Sequence, residues 1–276
     1  MFQQFILFSI FSLFMFSCGE TQLIEKDATE KFANNAGDKK FQEKHGIPKK
    51  IDFTPKGIKL EVPTQDGKMA TGYLLPSKET SKNYLFVFHE WYGLNDHIKK
   101  ESERLHQELL NTNVIAIDLY DGKVASKPED AGKLMKATST ERAKSIIRGV
   151  IASIGRDAKV ATIGWCFGGG WSLQSSIMLK EQGIGCVIYY GSLMENAADL
   201  VPLKAEILGL FAKKDAWISP KKVENFDALT KATGKDFNYK IFDADHAFAN
   251  PSGDRYLESA AQEANVMALK FLKKRF

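Results

Sequence analysis

A cysteine framed by glycines is the chain's strongest chemical feature: Gly164-Trp165-Cys166-Phe167-Gly168-Gly169-Gly170. It has the form G-x-nucleophile-x-G, with a thiol where a hydroxyl is more usual. A turn leading straight from a strand into a helix holds its nucleophile in a strained backbone conformation. Side chains two residues away on either side would collide, so glycine is needed there. The helix N-terminus beyond favours a thiolate and offers backbone N–H groups to a developing oxyanion. A phosphate loop would instead need Gly-Lys-Ser/Thr or G-x-G-x-x-G, and neither occurs. An ordinary buried thiol in a tight turn stays open as a reading.

Such a nucleophile needs a base to accept its proton and a carboxylate to orient the base. Asp215, in Lys213-Lys214-Asp215-Ala216-Trp217, and His246, in Asp243-Ala244-Asp245-His246-Ala247-Phe248, follow Cys166 in the order nucleophile, acid, histidine. Asp245 and Asp243 compete for the acid's role, although adjacent residues seldom face one another. A surface loop is the plainer setting for His246. Of the other histidines, His45 falls in a polar stretch, and His97 and His106 fall on a helix as surface or rim groups. His89-Glu90 ends an apolar run. A zinc-binding H-E-x-x-H would need histidine where Gly93 stands, so no metal and no cofactor are expected.

Strands and helices must alternate to carry these groups. Ile58 to Val62 has the two-residue period of a half-exposed strand, Asp66-Gly67 reads as a two-residue hairpin, and Met69 to Leu75 returns. Continuous apolar runs follow at Tyr84–Phe88, Val114–Ile117, Lys159–Gly164, Val187–Tyr190, Ile207–Phe211 and Tyr239–Phe242. Helical patterns separate them at about 96–110, after a Thr138-x-x-Glu141 capping box, from about Cys166, from about Pro220, and over about 257–273. Non-alternating runs are strands buried on both faces. The expectation is an α/β fold: a mostly parallel sheet with an antiparallel N-terminal hairpin, helices on both faces, and active groups at the strands' C-terminal ends. Tyr92, Tyr120, Trp91 and Trp217 either rim a pocket or simply pack.

Lys and Arg number 38 against 34 Asp and Glu. That small, evenly spread excess does not point to a nucleic-acid partner. The three cysteines, Cys18, Cys166 and Cys186, cannot all pair, so a disulfide framework is excluded and each thiol needs its own account. Cys186 begins a buried strand as packing. Residues 1–17 carry no charge, and their apolar run is short for a membrane span but suits a signal peptide. It ends at Phe16-Ser17-Cys18-Gly19, which resembles a bacterial lipobox. The n-region lacks Lys and Arg, and Met15 stands where leucine is usual. This reading implies lipidation at Cys18, a membrane anchor, and an exported, cell-envelope location. A secreted soluble protein is the plainer reading. The organisation expected is a signal peptide over 1–17, the lipidated cysteine with a polar tether over 18–55, and one domain over 56–276. A pair of short helices packed on the domain is the other reading of the tether. No residue pattern specifies an oligomeric state.

From about Gly57 to Phe271 the chain resembles the dienelactone hydrolase (carboxymethylenebutenolidase) family of α/β-hydrolases. The resemblance is carried by His89-Glu90-x-x-Gly93-Leu94-Asn95, Asp118-Leu119-Tyr120, Gly164-x-Cys166-x-Gly168-Gly169, Asp215 and His246-x-Phe248. It implies an α/β-hydrolase fold and a Cys166–His246–Asp215 triad. It also implies that Glu90 helps the resting thiol become a thiolate, and that the backbone N–H groups of Phe167 and Trp91 form the oxyanion hole. Family members acting on dienelactone hold its carboxylate with two arginines. Here Asn250 stands at one of those positions and Asp121-Gly122-Lys123 near the other, with Lys123 or Arg255 as substitutes. Tyr92, Tyr120, Lys123 and Asn250 are therefore the expected pocket residues. The function expected is hydrolysis of a small ester, lactone or thioester. A non-catalytic ligand- or envelope-binding lipoprotein is the rival class.

Overall fold

Continuous apolar runs become the central strands. The computed structural model describes residues 28–276. The eight strands are β1 (Ile58–Pro63), β2 (Met69–Leu75), β3 (Asn83–Phe88), β4 (Asn113–Ile117), β5 (Lys159–Trp165), β6 (Gly183–Tyr189), β7 (Ile207–Ala212) and β8 (Phe237–Phe242). They form one sheet in the order β1-β2-β4-β3-β5-β6-β7-β8. β2 lies antiparallel to β1 and β4, and every other neighbouring pair is parallel. β7 is buried at every position and β5 at every position after Lys159, as strands covered on both faces must be. The chain passes from β3 to β4 on one side, then returns to β5 on the other. The C-terminal ends of β3 and β5 thus flank a topological switch point, where open α/β sheets bind ligands.

The helices are α1 (Ala28–Ala33), α2 (Lys39–Glu43), α3 (Asp96–Glu108), α4 (Pro128–Ala137), α5 (Thr140–Ser153), α6 (Phe167–Leu179), α7 (Ala197–Leu200), α8 (Pro220–Ala232) and α9 (Glu258–Lys273). Among the described residues, no helix is long and apolar enough to cross a membrane. Several details depart from the sequence-based expectation. The β1–β2 connection is a longer loop, closed by Thr64 N–H donating to the Lys68 carbonyl at 2.9 Å, with Gly67 in the left-handed region. Ser139, not Thr138, caps α5 by accepting from Arg142 N–H, while the Thr138 hydroxyl turns back to the Leu134 carbonyl. β6 begins at Gly183, ahead of its apolar run, and the two glycines among its first residues hide that start in the sequence. Neither α4 nor α7 was expected. α4 is marked only by Pro128 in its first turn and a face of Ala131, Gly132 and Met135.

The largest departure is N-terminal. Cys18 and residues 1–17 lie outside the described residues. Residues 28–45 do not run as a polar tether but follow its other reading, two short helices joined by a 3-10 turn and laid against the domain. Phe32, Ala36 and Phe41 are buried there. Burying each phenylalanine is worth about 1.5–3 kcal/mol against leaving it exposed, before the entropy of ordering the segment. These isolated apolar anchors, not the polar residues between them, decide where the segment goes.

Candidate active site

Cys166 leaves the end of β5 with φ 55° and ψ −118°, and its N–H is held by the Tyr189 carbonyl at 3.0 Å. Two glycines make this turn possible. A Cβ on Gly164 would lie 2.1 Å from the Gly168 carbonyl oxygen. One on Gly168 would lie 2.3 Å from the Phe88 oxygen and 2.5 Å from that of His89. The start of α6 therefore packs against the end of β3, which brings the backbone beyond Cys166 beside that beyond Glu90.

His246 Nε2 lies 3.2 Å from Cys166 Sγ, and His246 Nδ1 lies 2.6 Å from Asp215 Oδ2. Asp215 Oδ1 accepts from the N–H groups of Trp217 and Ile218 at 2.8 and 2.9 Å. An ionised Asp215 can only accept, so Nδ1 carries the imidazole proton and Nε2 presents a lone pair to the thiol. Burial pushes the Asp215 carboxyl up, but the charge and hydrogen bond of His246 and the two N–H groups outweigh it and hold it below its ordinary value. The competing carboxylates lie elsewhere: Asp243 pairs with Lys214 in solvent, and Asp245 is only partly buried.

The thiol is 1% exposed. Burial pushes it well above its ordinary value and the Glu90 charge adds to that, against opposition from the Phe167 N–H and Arg255. Burial likewise raises the Glu90 carboxyl to about 7, against the pull of Arg255. Glu90 Oε2 accepts from Asn250 Nδ2 rather than from the thiol, and Asn250 Oδ1 is fixed by Ser252 N–H and Oγ–H at 2.9 and 2.7 Å. His89 serves as a strut. Its Nδ1–H donates to the Glu90 carbonyl at 2.6 Å, and its Nε2 accepts from Leu119 N–H at 3.1 Å, joining the ends of β3 and β4. Burial lowers its pKa, in keeping with a neutral ring.

The pocket residues read from the sequence take different places. Tyr120 is buried between the rings of His89 and Phe167, at 4.7 and 5.6 Å, with its hydroxyl unpartnered. Lys123 is exposed to solvent. Arg255 instead places its guanidinium 5.9 Å from the Trp217 ring centre, close enough for its charge to act on Cys166 and Glu90. Tyr92 donates to the carbonyls of Gly46 and His45 at 2.7 and 3.1 Å, so it fastens the N-terminal segment.

That segment roofs the site. Phe41 meets Trp91 and Trp217 edge-on at 5.3 and 4.8 Å, and the His45 ring lies 4.6 Å from Trp91 and 5.5 Å from His246. Phe32 approaches His246 at 6.2 Å. His97 Nε2–H holds the Lys49 carbonyl at 2.6 Å. A cavity of about 20 Å³ remains between His45, Glu90, Trp91 and Arg255, room for about one water. A groove of about 900 Å³ runs alongside, walled by Phe53, Glu90, Ile98, Trp165 and Tyr256, and neither Cys166 nor His246 lines it. Sequence reasoning missed His45, although Phe41 and His45 stand four apart on one face of α2 and the turn after it. Tyr190 was missed too: its ring lies 5.1 Å from His246 and its hydroxyl is buried without a partner.

Comparison with known proteins decides the family. Residues 70–276 match the model of the dienelactone hydrolase family. The chain belongs to that family. As a dienelactone hydrolase family member it is an ester-bond hydrolase of the α/β-hydrolase fold. Over 236 residues it is 28% identical to a candidate carboxymethylenebutenolidase of Aquifex aeolicus, covering 81% of this chain and 96% of that one. Its fold is like that of the dienelactone hydrolase-like promiscuous phosphotriesterase P91 from metagenomic libraries (TM-score 0.67, 19% identity, 79% of this chain and 98% of that one). It is also like that of a dienelactone hydrolase from Anabaena variabilis (TM-score 0.59, 14% identity, 81% of this chain and 100% of that one).

Proposed function

We propose that this protein hydrolyses small carboxylic esters, lactones or thioesters through an acyl-enzyme on Cys166, with His246 and Asp215 completing the triad. The 3.2 Å approach of His246 Nε2 to Cys166 Sγ carries this reading. His246 takes the thiol proton as sulfur attacks the acyl carbon, and the oxyanion faces the N–H groups of Phe167 and Trp91. The imidazolium then returns that proton to the departing alcohol or thiol oxygen or sulfur. Water, deprotonated by His246, releases the acid and restores the thiol. Asp215 stays ionised throughout and orients the ring.

Glu90 enters through charge. With both the thiol and Glu90 raised by burial, two negative charges side by side are disfavoured. Thiolate forms at least cost when Glu90 is already protonated, the thiol proton going to His246, and Asn250 fixes where that carboxyl sits. Arg255 supplies the site's cation. A substrate bearing its own carboxylate would be met there, by a single guanidinium rather than the pair that the family's named reaction uses.

The anchor is proposed on sequence alone. Cys18 carries lipid after removal of residues 1–17, and the domain sits on the cell-envelope side of a membrane. Loss of membrane partitioning in Cys18→Ser tests it. For the chemistry, aryl esters, lactones and thioesters are offered to the purified protein and to Cys166→Ala. Turnover only with the thiol supports the proposal. No turnover with either, or equal turnover with both, refutes it.

A further inference from the structure

His45 has no part in the hydrolytic scheme, yet it is built into the site. Its side chain is almost wholly buried, and Nδ1 lies 2.6 Å from the Phe41 carbonyl. A carbonyl accepts only from a nitrogen that carries hydrogen, so the neutral ring keeps its proton on Nδ1 and leaves Nε2 as a bare lone pair. That Nε2 is buried with no partner. An acceptor left bare would cost about 1–3 kcal/mol, so a ligand is expected on it, and the cavity of about 20 Å³ that His45 lines has room for one water or one ion.

The surroundings suit the ion. One ligand atom each from His45, Cys166 and His246 lie within 4.8 Å of one another. Zinc bound tetrahedrally at about 2.0–2.1 Å from nitrogen and 2.3 Å from sulfur sets its ligands about 3.3–3.6 Å apart. The His246–Cys166 distance of 3.2 Å is already near that, and the wider separations within the group, up to 4.8 Å, shorten by about 1.2–1.5 Å on binding. Both imidazoles are also held as metal-binding histidines are, with the far nitrogen donating to an oxygen: Asp215 for His246, the Phe41 carbonyl for His45.

We propose that His45 Nε2, Cys166 Sγ and His246 Nε2 form a three-ligand site for a Zn²⁺-class divalent cation, with water in the fourth position. Binding replaces the thiol proton, which leaves to solvent as the sulfur–metal bond forms. The thiolate and the Asp215 carboxylate together balance the ion's two charges. His45 belongs to the roof and Cys166 to the sheet, so the ion also fastens the roof down. Inhibition of hydrolysis by the ion rests on the triad reading; the site itself does not.

The purified full chain, stripped by a chelator, is titrated with Co²⁺ and with Zn²⁺. One ion per chain is expected, with a thiolate-to-cobalt charge-transfer band that is absent in Cys166→Ser and intact in Cys186→Ala. His45→Gln should weaken binding by at least about 100-fold, since even groups that only orient a metal ligand are worth about 10–100-fold. Circular dichroism checks that this variant is folded, and His45→Cys, which returns a soft ligand, should recover affinity. No bound ion, or unchanged affinity in folded His45→Gln, overturns the site. In parallel, Zn²⁺ should inhibit ester turnover in the parent and far less in His45→Gln. If no ester is turned over at all, the hydrolytic reading fails while the cobalt titration still decides the metal site.

Discussion

The hydroxyl of Tyr92 donates to the carbonyl of Gly46 at 2.7 Å, so the residue two beyond Glu90 latches the segment that covers Cys166. Removing this bond by Tyr92→Phe costs the closed state about 1 kcal/mol, a roughly fivefold rise in the open fraction. Phe41→Ala removes the aromatic contact with Trp91 and Trp217 and should open the site further. Both are expected to speed alkylation of Cys166 by iodoacetamide, Phe41→Ala by at least about tenfold. Equal rates in parent and variants would mean that the roof does not limit access.

Glu90 gives folding a pH dependence of definite sign. Its carboxyl rises from an ordinary 4.5 to about 7 on folding. Between those values the folded state keeps a proton that the unfolded state has lost, so stability falls as the pH rises through this window. The loss is on the order of 1 kcal/mol or more above pH 7, since Glu90 is half-buried and borders the open groove. Glu90→Gln removes the charge and should raise the melting temperature at pH 8 while changing little at pH 4. A variant no more stable than the parent at pH 8 would contradict the buried-carboxyl account.

Asp215→Asn keeps the shape of the triad but replaces an acceptor by a group that can face Nδ1 with either end. The wrong tautomer of His246 then points a proton at the thiol. Ester turnover should fall by roughly 10³–10⁴ in kcat with little change in KM. A fall carried by KM alone would place Asp215 outside proton transfer.

Gly168 tests the elbow. Neither Phe88 nor His89 can yield, because the oxygens a new Cβ would meet belong to the backbone of β3. Gly168→Ala should lower stability by about 2–3 kcal/mol or more and cut turnover beyond that loss, by moving Phe167 N–H away from Trp91 N–H. Thermal melts and kcat measured on the folded fraction separate the two.

That Cys166, Asp215 and His246 fall on strand-end loops was legible from their places just after the apolar runs of β5, β7 and β8. The apolar runs of β3 to β7 were legible because burial on both faces leaves no polar alternation to misread. What stayed hidden depends on contacts across the fold. Phe32, Phe41 and His45 are scattered among polar residues, and the rings they meet, Trp91 and Trp217 for Phe41 and His45, and His246 for Phe32, lie far along the chain. Asn250 occupies a position at which the resemblance would place a substrate-binding arginine, and only the folded site reveals its bond to Glu90. Ser139 is a better cap by type than Thr138, whose hydroxyl is taken by the Leu134 carbonyl at the end of α4, a competition the capping-box spacing conceals.

The roof, finally, is part of the same chain as the groups it covers. Were it to lift before a substrate reached Cys166, the substrate would compete with a tethered rival whose effective concentration is of millimolar order, whatever the protein concentration. The apparent KM would then equal the intrinsic one divided by the fraction of molecules that are open. Weak apparent affinity for a correct ester would then report the closed equilibrium, and a variant loosened at Tyr92 or Phe41 would be the one on which to rank substrates.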